Sequence, residues 1–321
     1  MSLTLRSDSL ELRLTPERGA DIVRLTDLAS GVQTLATSHT GDAMAAPFTA
    51  GGSIVQWISG YPGGWQLLAP NAGPEREHDG VMLGYHGEAS LARWSVDGHG
   101  ESAARLSASL LTAPLALVRT VSVDGDRVSV TDEVTNLSPD PYSFRLAQHP
   151  AFGTPFLDGS SYLVTSARSL VTDADAPGTL AGADVVGPPT DLLDPGPVPD
   201  SVALPSPGSG EALFGALTDF GPDSPGSSAT SATFHSPTHG FGMRLTWDTA
   251  VYPHAWFWIE ANSGSGWPWF KRLFAVAVEP CNVIPGEGLA SDGRQRGGPG
   301  TTLAGGTTLT SRILLKRVPL A

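Results

Sequence analysis

"LALVRTVSVDGDRVSVTDEVTN", residues 115–136, decides the fold class. Two segments, "LALVRTVSV" (115–123) and "RVSVTDEVTN" (127–136), alternate apolar and polar residues with a period of two, and "VDGD" (123–126) supplies turn residues between them. That pattern predicts half-buried strands punctuated by a tight turn. Working outward, "ARLSASLL" (104–111) precedes the pair in the same style. "ATFHSP", "FGMRLTWD", "HAWFWIE", "FAVAVEP" and "TLTSRILLKRV" continue it towards the C-terminus. No segment keeps a helical period for three turns. An all-β fold of antiparallel sheets, a sandwich or barrel, is therefore predicted.

The opening "MSLTLRSDSLELRL" alternates and carries charge, and it reads as a first strand rather than a signal peptide. Composition breaks once, at about 171–230, where "VTDADAPGTLAGADVVGPP" leads into "LLDPGPVPDSVALPSPGSGE". Proline and glycine at that density disfavour central strands. Strands of the same style flank the break, so it is read as a surface excursion within one domain spanning residues 1–321.

The net charge of −13, from 19 basic and 32 acidic residues, argues against a nucleic-acid or anionic-membrane partner. No apolar run approaches the ~20 residues that span a bilayer. The single cysteine, Cys281, cannot form an internal disulfide and fits a reducing, cytoplasmic setting. A neutral or cationic small molecule is the compatible partner.

Three stretches could carry chemistry. In "YHGE" (85–88), His86 precedes a glycine that lets backbone and ligand come close. In "LAQHPAFG" (146–153), Pro150 restricts His149 to extended conformations, and His149 is expected at the sheet rim where a strand ends. There it could exchange a proton near neutral pH, or simply cap the sheet edge. In "RLFAVAVEPCNVIPGEG" (272–288), "LFAVAVE" reads as a central strand covered on both faces, with Glu279 at the end of its apolar run. A carboxylate so placed must be paired, with Arg272 for example, or used. Partial burial would raise its pKa and make it a better base. "YPHAWFWIEANSGSGWPWFKR" (252–272) holds four of the eight tryptophans, with Trp256 and Trp258 on one strand face. Such indoles suit the apolar faces of sugar rings, and they also suit a packed core.

Taken in order, "GGWQLLAPNAG" leading into "YHGE", "VTDEVTNLSPDPYSF" followed by "AQHPAFG", and the late "AVAVEP" resemble the aldose 1-epimerase (galactose mutarotase-like) family, over roughly residues 10–318. The resemblance implies a large antiparallel β-supersandwich and a cofactor-free interconversion of the α and β anomers of a free hexose. It implies that Glu279 takes the proton of the anomeric hydroxyl, that His149 protonates the ring oxygen, and that His86 holds the sugar. Arg76 is the candidate for the family's sugar-binding arginine, in an uncertain register, and no clear match exists for its mid-chain aspartate, Asp219 lying beside the excursion. Sugar-phosphate relatives often carry an arginine shortly after their "HG"; Ser90 holds that position in this chain's "HGEAS", which disfavours a phosphorylated substrate. A non-catalytic carbohydrate-binding protein is the alternative. Weaker ones are a metal site joining His235 and His239 of "HSPTHG" to His86, and a glycosidase using Glu260 or Glu287.

Overall fold

The computed structural model describes residues 2–40 and 51–320. The quoted stretch forms a long hairpin, Leu115–Asp124 against Arg127–Asn136, with Leu115 opposite Asn136 and Asp124 opposite Arg127. Gly125 in its turn has a φ of 52°, a conformation glycine adopts without steric cost. Among the described residues the only helices are Ser53–Ile58 and Pro189–Leu192. None is long and apolar enough to cross a membrane.

Two antiparallel sheets dominate. The larger has eleven strands. It begins with Leu3–Arg6, Leu10–Thr15 and Asp21–Asp27. It then runs through Trp65–Leu68, Ala147–Gly153, Phe274–Cys281 and His254–Ala261 to Ala212–Phe220 and Ala167–Thr172. The second has nine strands, among them the Leu115–Asn136 hairpin and the C-terminal Thr308–Pro319.

Alternation along the central strands sorts side chains by size. From Phe274–Cys281, Phe274, Val276 and Val278 enter the main core, joined by Phe257, Ile259 and Phe152 from the flanking strands. The opposite face carries Ala275, Ala277 and Cys281, with Ala147 and Ala151 beside them. Large residues seal the sandwich, and alanines floor a hollow on its outer face. That hollow is roofed by the segment around Ser53–Ile58 and by the loops near residues 85 and 267.

Two local expectations are corrected. His149 is not at a rim: it lies within Ala147–Gly153, a strand buried along its whole length. Pro150 is tolerated there because the paired register with Phe274–Cys281 is interrupted between Ala147 and Ala151, so no bond of that ladder depends on its missing N–H. Within 171–230, Ala212–Phe220 is a nine-residue strand of the large sheet, paired with His254–Ala261. The proline density of the preceding residues masked its "ALFGALTDF" pattern.

Behind His149 the sandwich core holds a buried polar network. Arg119 donates to both carboxylate oxygens of Asp132, at 2.8 and 3.2 Å, and to Gln148 Oε1 at 3.0 Å. Gln148 donates to Asp132 and to the Tyr252 hydroxyl, and accepts from the Trp65 indole. Each polar group has a partner, as burial at this depth requires. The strand bearing His149 is thereby tied down from its core-facing side.

Candidate functional site

Glu279 and His149 sit on neighbouring strands. With Ala147 opposite Cys281 and Ala151 opposite Ala277, the register puts His149 across from Glu279. His149 Nε2 lies 3.5 Å from Glu279 Oε1, and both side chains are almost fully buried. No arginine or lysine pairs with Glu279 among the described residues, and Arg272 is exposed. Burial therefore dominates both groups. It raises the Glu279 pKa well above the usual carboxylate range and lowers that of His149 to about 4. The remaining polar atoms of the pair, Glu279 Oε2 and His149 Nδ1, have no hydrogen-bond partner among the described residues. Burial thus favours the uncharged form of each group, a carboxylic acid beside a neutral imidazole.

His86 is brought to the same place by a backbone in the left-handed region, φ 58°, which costs a non-glycine residue of order 1–3 kcal/mol. Gly87 follows at φ 75°, and a side chain there would meet the Ala69 carbonyl oxygen at 2.4 Å. The Gly73 amide donates to His86 Nδ1 at 3.1 Å, so the ring proton resides on Nε2. Burial and the neighbouring His149 hold the His86 pKa well below its ordinary value. The two imidazole centroids are 5.6 Å apart. His86 is thus a neutral donor.

Aromatic side chains close the site. Trp256 is opposite Glu279 in the strand register, fixed by its indole N–H to the Val283 carbonyl at 2.7 Å. The Trp258 ring lies 5.9 Å from His149. Trp57, Tyr61, Tyr85 and Trp269 also line the cavity of about 310 Å³ that Glu279 and His149 border. Sequence reading singled out none of these four as site residues, although Tyr85 opens "YHGE" and Trp269 lies in the tryptophan-rich stretch 252–272; for Trp57 and Tyr61 the only signal was local aromatic content. Ser90, where sugar-phosphate relatives carry arginine, instead accepts the Trp57 indole N–H at 2.8 Å.

A second cavity, about 680 Å³, adjoins the first and shares Tyr85, His86, Phe214 and Trp256 with it. Arg76 lines this outer space and not the inner one. It donates to Asn71 Oδ1 at 3.2 Å, and its Nη2 has no partner. Arg145 stands on the same wall, ion-paired to Glu287.

The other candidates lie elsewhere. His235 stacks on Tyr162, and His239 bonds the Pro155 carbonyl oxygen. Among the described residues, no three His, Cys, Asp or Glu side chains gather as a metal-binding set. Glu260 accepts from the Ser263 amide and hydroxyl, which closes a turn. Asp219 pairs with Arg294. Burial pushes the Cys281 thiol up to about 12, which leaves it protonated.

A sequence profile described as "Domain of unknown function (DUF4432)" matches residues 2–315. The chain belongs to the DUF4432 family. No curated protein matches it. Among solved structures, this DUF4432 protein is similar to a galactose mutarotase related enzyme from Lactobacillus acidophilus, 16% identical over 100% of both chains with a TM-score of 0.68. It is similar to the Slr1438 protein from Synechocystis sp. PCC 6803, 18% identical over 100% of this chain and 96% of the other, TM-score 0.69. A galactose mutarotase-like protein from Lactobacillus casei is 18% identical over 99% of this chain and 100% of its own, TM-score 0.62. At these identities the likeness establishes the fold, which is that of galactose mutarotase-like proteins.

Proposed function

We propose that this protein is an aldose 1-epimerase, interconverting the α and β anomers of a free hexose. The observation that carries the reading is the 3.5 Å approach of His149 Nε2 to Glu279 Oε1 in an aromatic cavity. Anomerisation needs a base at the anomeric hydroxyl and an acid at the ring oxygen of the same hemiacetal carbon. Glu279 takes the O1 proton while His149 delivers one to O5. The C1–O5 bond opens, C1–C2 rotates, and closure on the other face reverses both transfers. Each positioned group is worth typically 10²–10⁴-fold.

The exchange starts from the Glu279 carboxylate beside a protonated His149, so the proton that burial keeps on Glu279 first passes to His149 across their 3.5 Å contact. Glu279 is a strong base once ionised, and His149 a strong acid once protonated. One proton suffices because each transfer returns what the other removed, so no cofactor is required. The His86 Nε2–H is placed to donate to a sugar oxygen, and Trp256 and Trp258 offer indole faces to the C–H side of the ring. Arg76 would meet the end of the substrate remote from C1, through the outer cavity.

Exchange NMR tests the reading. With free aldoses at neutral pH, catalytic protein should produce exchange between the α and β anomeric proton signals at a rate proportional to its concentration. Exchange no faster than buffer across a panel of aldoses would refute it.

A further inference from the structure

Tyr61 is almost completely buried, and its hydroxyl has no hydrogen-bond partner among the described residues. Buried hydroxyls are rarely left so, because an unmade bond costs about 1–3 kcal/mol. The rest of the residue is firmly held. Its amide donates to the Ile58 carbonyl at 3.1 Å, and Thr40 Oγ1 donates to its carbonyl at 2.7 Å. Its ring stacks on Trp57 with centroids 4.9 Å apart, and Arg18 anchors Trp57 through the carbonyl oxygen of that residue. Only the phenolic end is unengaged.

Tyr61 is one of the residues lining the inner cavity. The Tyr61 ring lies 5.8 Å from the His149 ring, and Tyr61 lines the same space as Glu279. Burial, with the Glu279 carboxylate as the next contributor, holds the phenol fully protonated. It is a permanent donor. Three residues that line one cavity, Tyr61, Glu279 and His149, therefore each keep a buried polar atom without a partner among the described residues. Such a set is completed by a ligand rather than by the fold.

We infer that Tyr61 is a further catalytic residue, donating a hydrogen bond to the anomeric oxygen O1 of the substrate. The inference rests on the aldose 1-epimerase reading. As Glu279 removes the O1 proton, the C1–O5 electron pair leaves to O5, which takes the His149 proton, and C1=O1 forms. The Tyr61 hydroxyl keeps its own proton throughout. It stabilises charge building on O1 before the bond opens and polarises the resulting carbonyl for re-closure, the role of an oxyanion-stabilising donor.

Tyr61→Phe removes only the hydroxyl. Since that group bonds nothing in the protein, the variant is expected to melt at or above the wild-type temperature. Exchange NMR should show kcat lower by at least tenfold, with KM changed by less than threefold. A wild-type protein that accelerates exchange, alongside a Tyr61→Phe variant with the same kcat, overturns the role of Tyr61 and leaves the enzyme assignment standing. A lowered kcat accompanied by a lowered melting temperature also overturns it, because the hydroxyl would then be structural. A wild-type protein no faster than buffer overturns both.

Discussion

His149 and Glu279 face one another across adjacent strands, 3.5 Å apart, with no basic residue between them. A buried carboxylate normally survives by pairing with a cation. Here the neighbour is an imidazole that burial itself holds neutral. The pair is costly to the fold and useful to proton transfer, the combination expected of a functional site.

That cost is measurable. The folded-state pKa of Glu279 is raised, so the stability supplied by its neutral form is complete below the unfolded value of about 4.3 and is lost as pH rises through the folded value. Glu279→Gln carries no such penalty. The melting temperature of the variant minus that of the wild type should be near zero at pH 4 and grow towards alkaline pH, as followed by calorimetry.

The rate should depend on pH as a one-proton pair demands. A second proton enters as pH falls through about 4 and leaves no base; at alkaline pH the last proton departs and leaves no acid. The profile of kcat/KM is predicted to have its lower limb near 4 and its upper limb well above the ordinary carboxylate range. A lower limb at the ordinary histidine value would contradict the burial of His149.

Much of this was legible in the sequence, for physical reasons. Period two is imposed by the strand itself, so the Leu115–Asn136 hairpin could be read residue by residue. "FAVAVE" carried more than was taken from it: its strict large–small alternation records which face is core and which is cavity floor. The depth of His149 was not legible, because Pro150 has the same local effect at a rim as in an interrupted ladder. Tyr61 and Trp57 were equally hidden, since their role comes from a roof segment folding over a sheet distant in sequence.

Removing the stacking platform should weaken binding more than chemistry. Trp258 lines the cavity without any hydrogen bond to fix it elsewhere. Trp258→Ala is expected to raise KM about tenfold, the equivalent of an aromatic contact worth about 1.5 kcal/mol, with kcat nearly unchanged. Initial rates over a range of sugar concentrations separate the two.

The network behind His149 should be structural. Arg119→Met leaves Asp132 buried without its cation, and the loss should be about 3–5 kcal/mol. Urea denaturation reads it directly. A variant within 1 kcal/mol of wild type, on the order of a surface substitution, would mean that Gln148 alone satisfies Asp132.

Polarimetry tests the central claim most directly. Freshly dissolved α-glucose or α-galactose approaches its equilibrium rotation slowly on its own. Wild-type protein is predicted to hasten that approach in proportion to its concentration, and Glu279→Gln to lower the catalysed rate by about 10²–10⁴-fold while remaining folded. A folded Glu279→Gln variant as fast as the wild type would contradict the account.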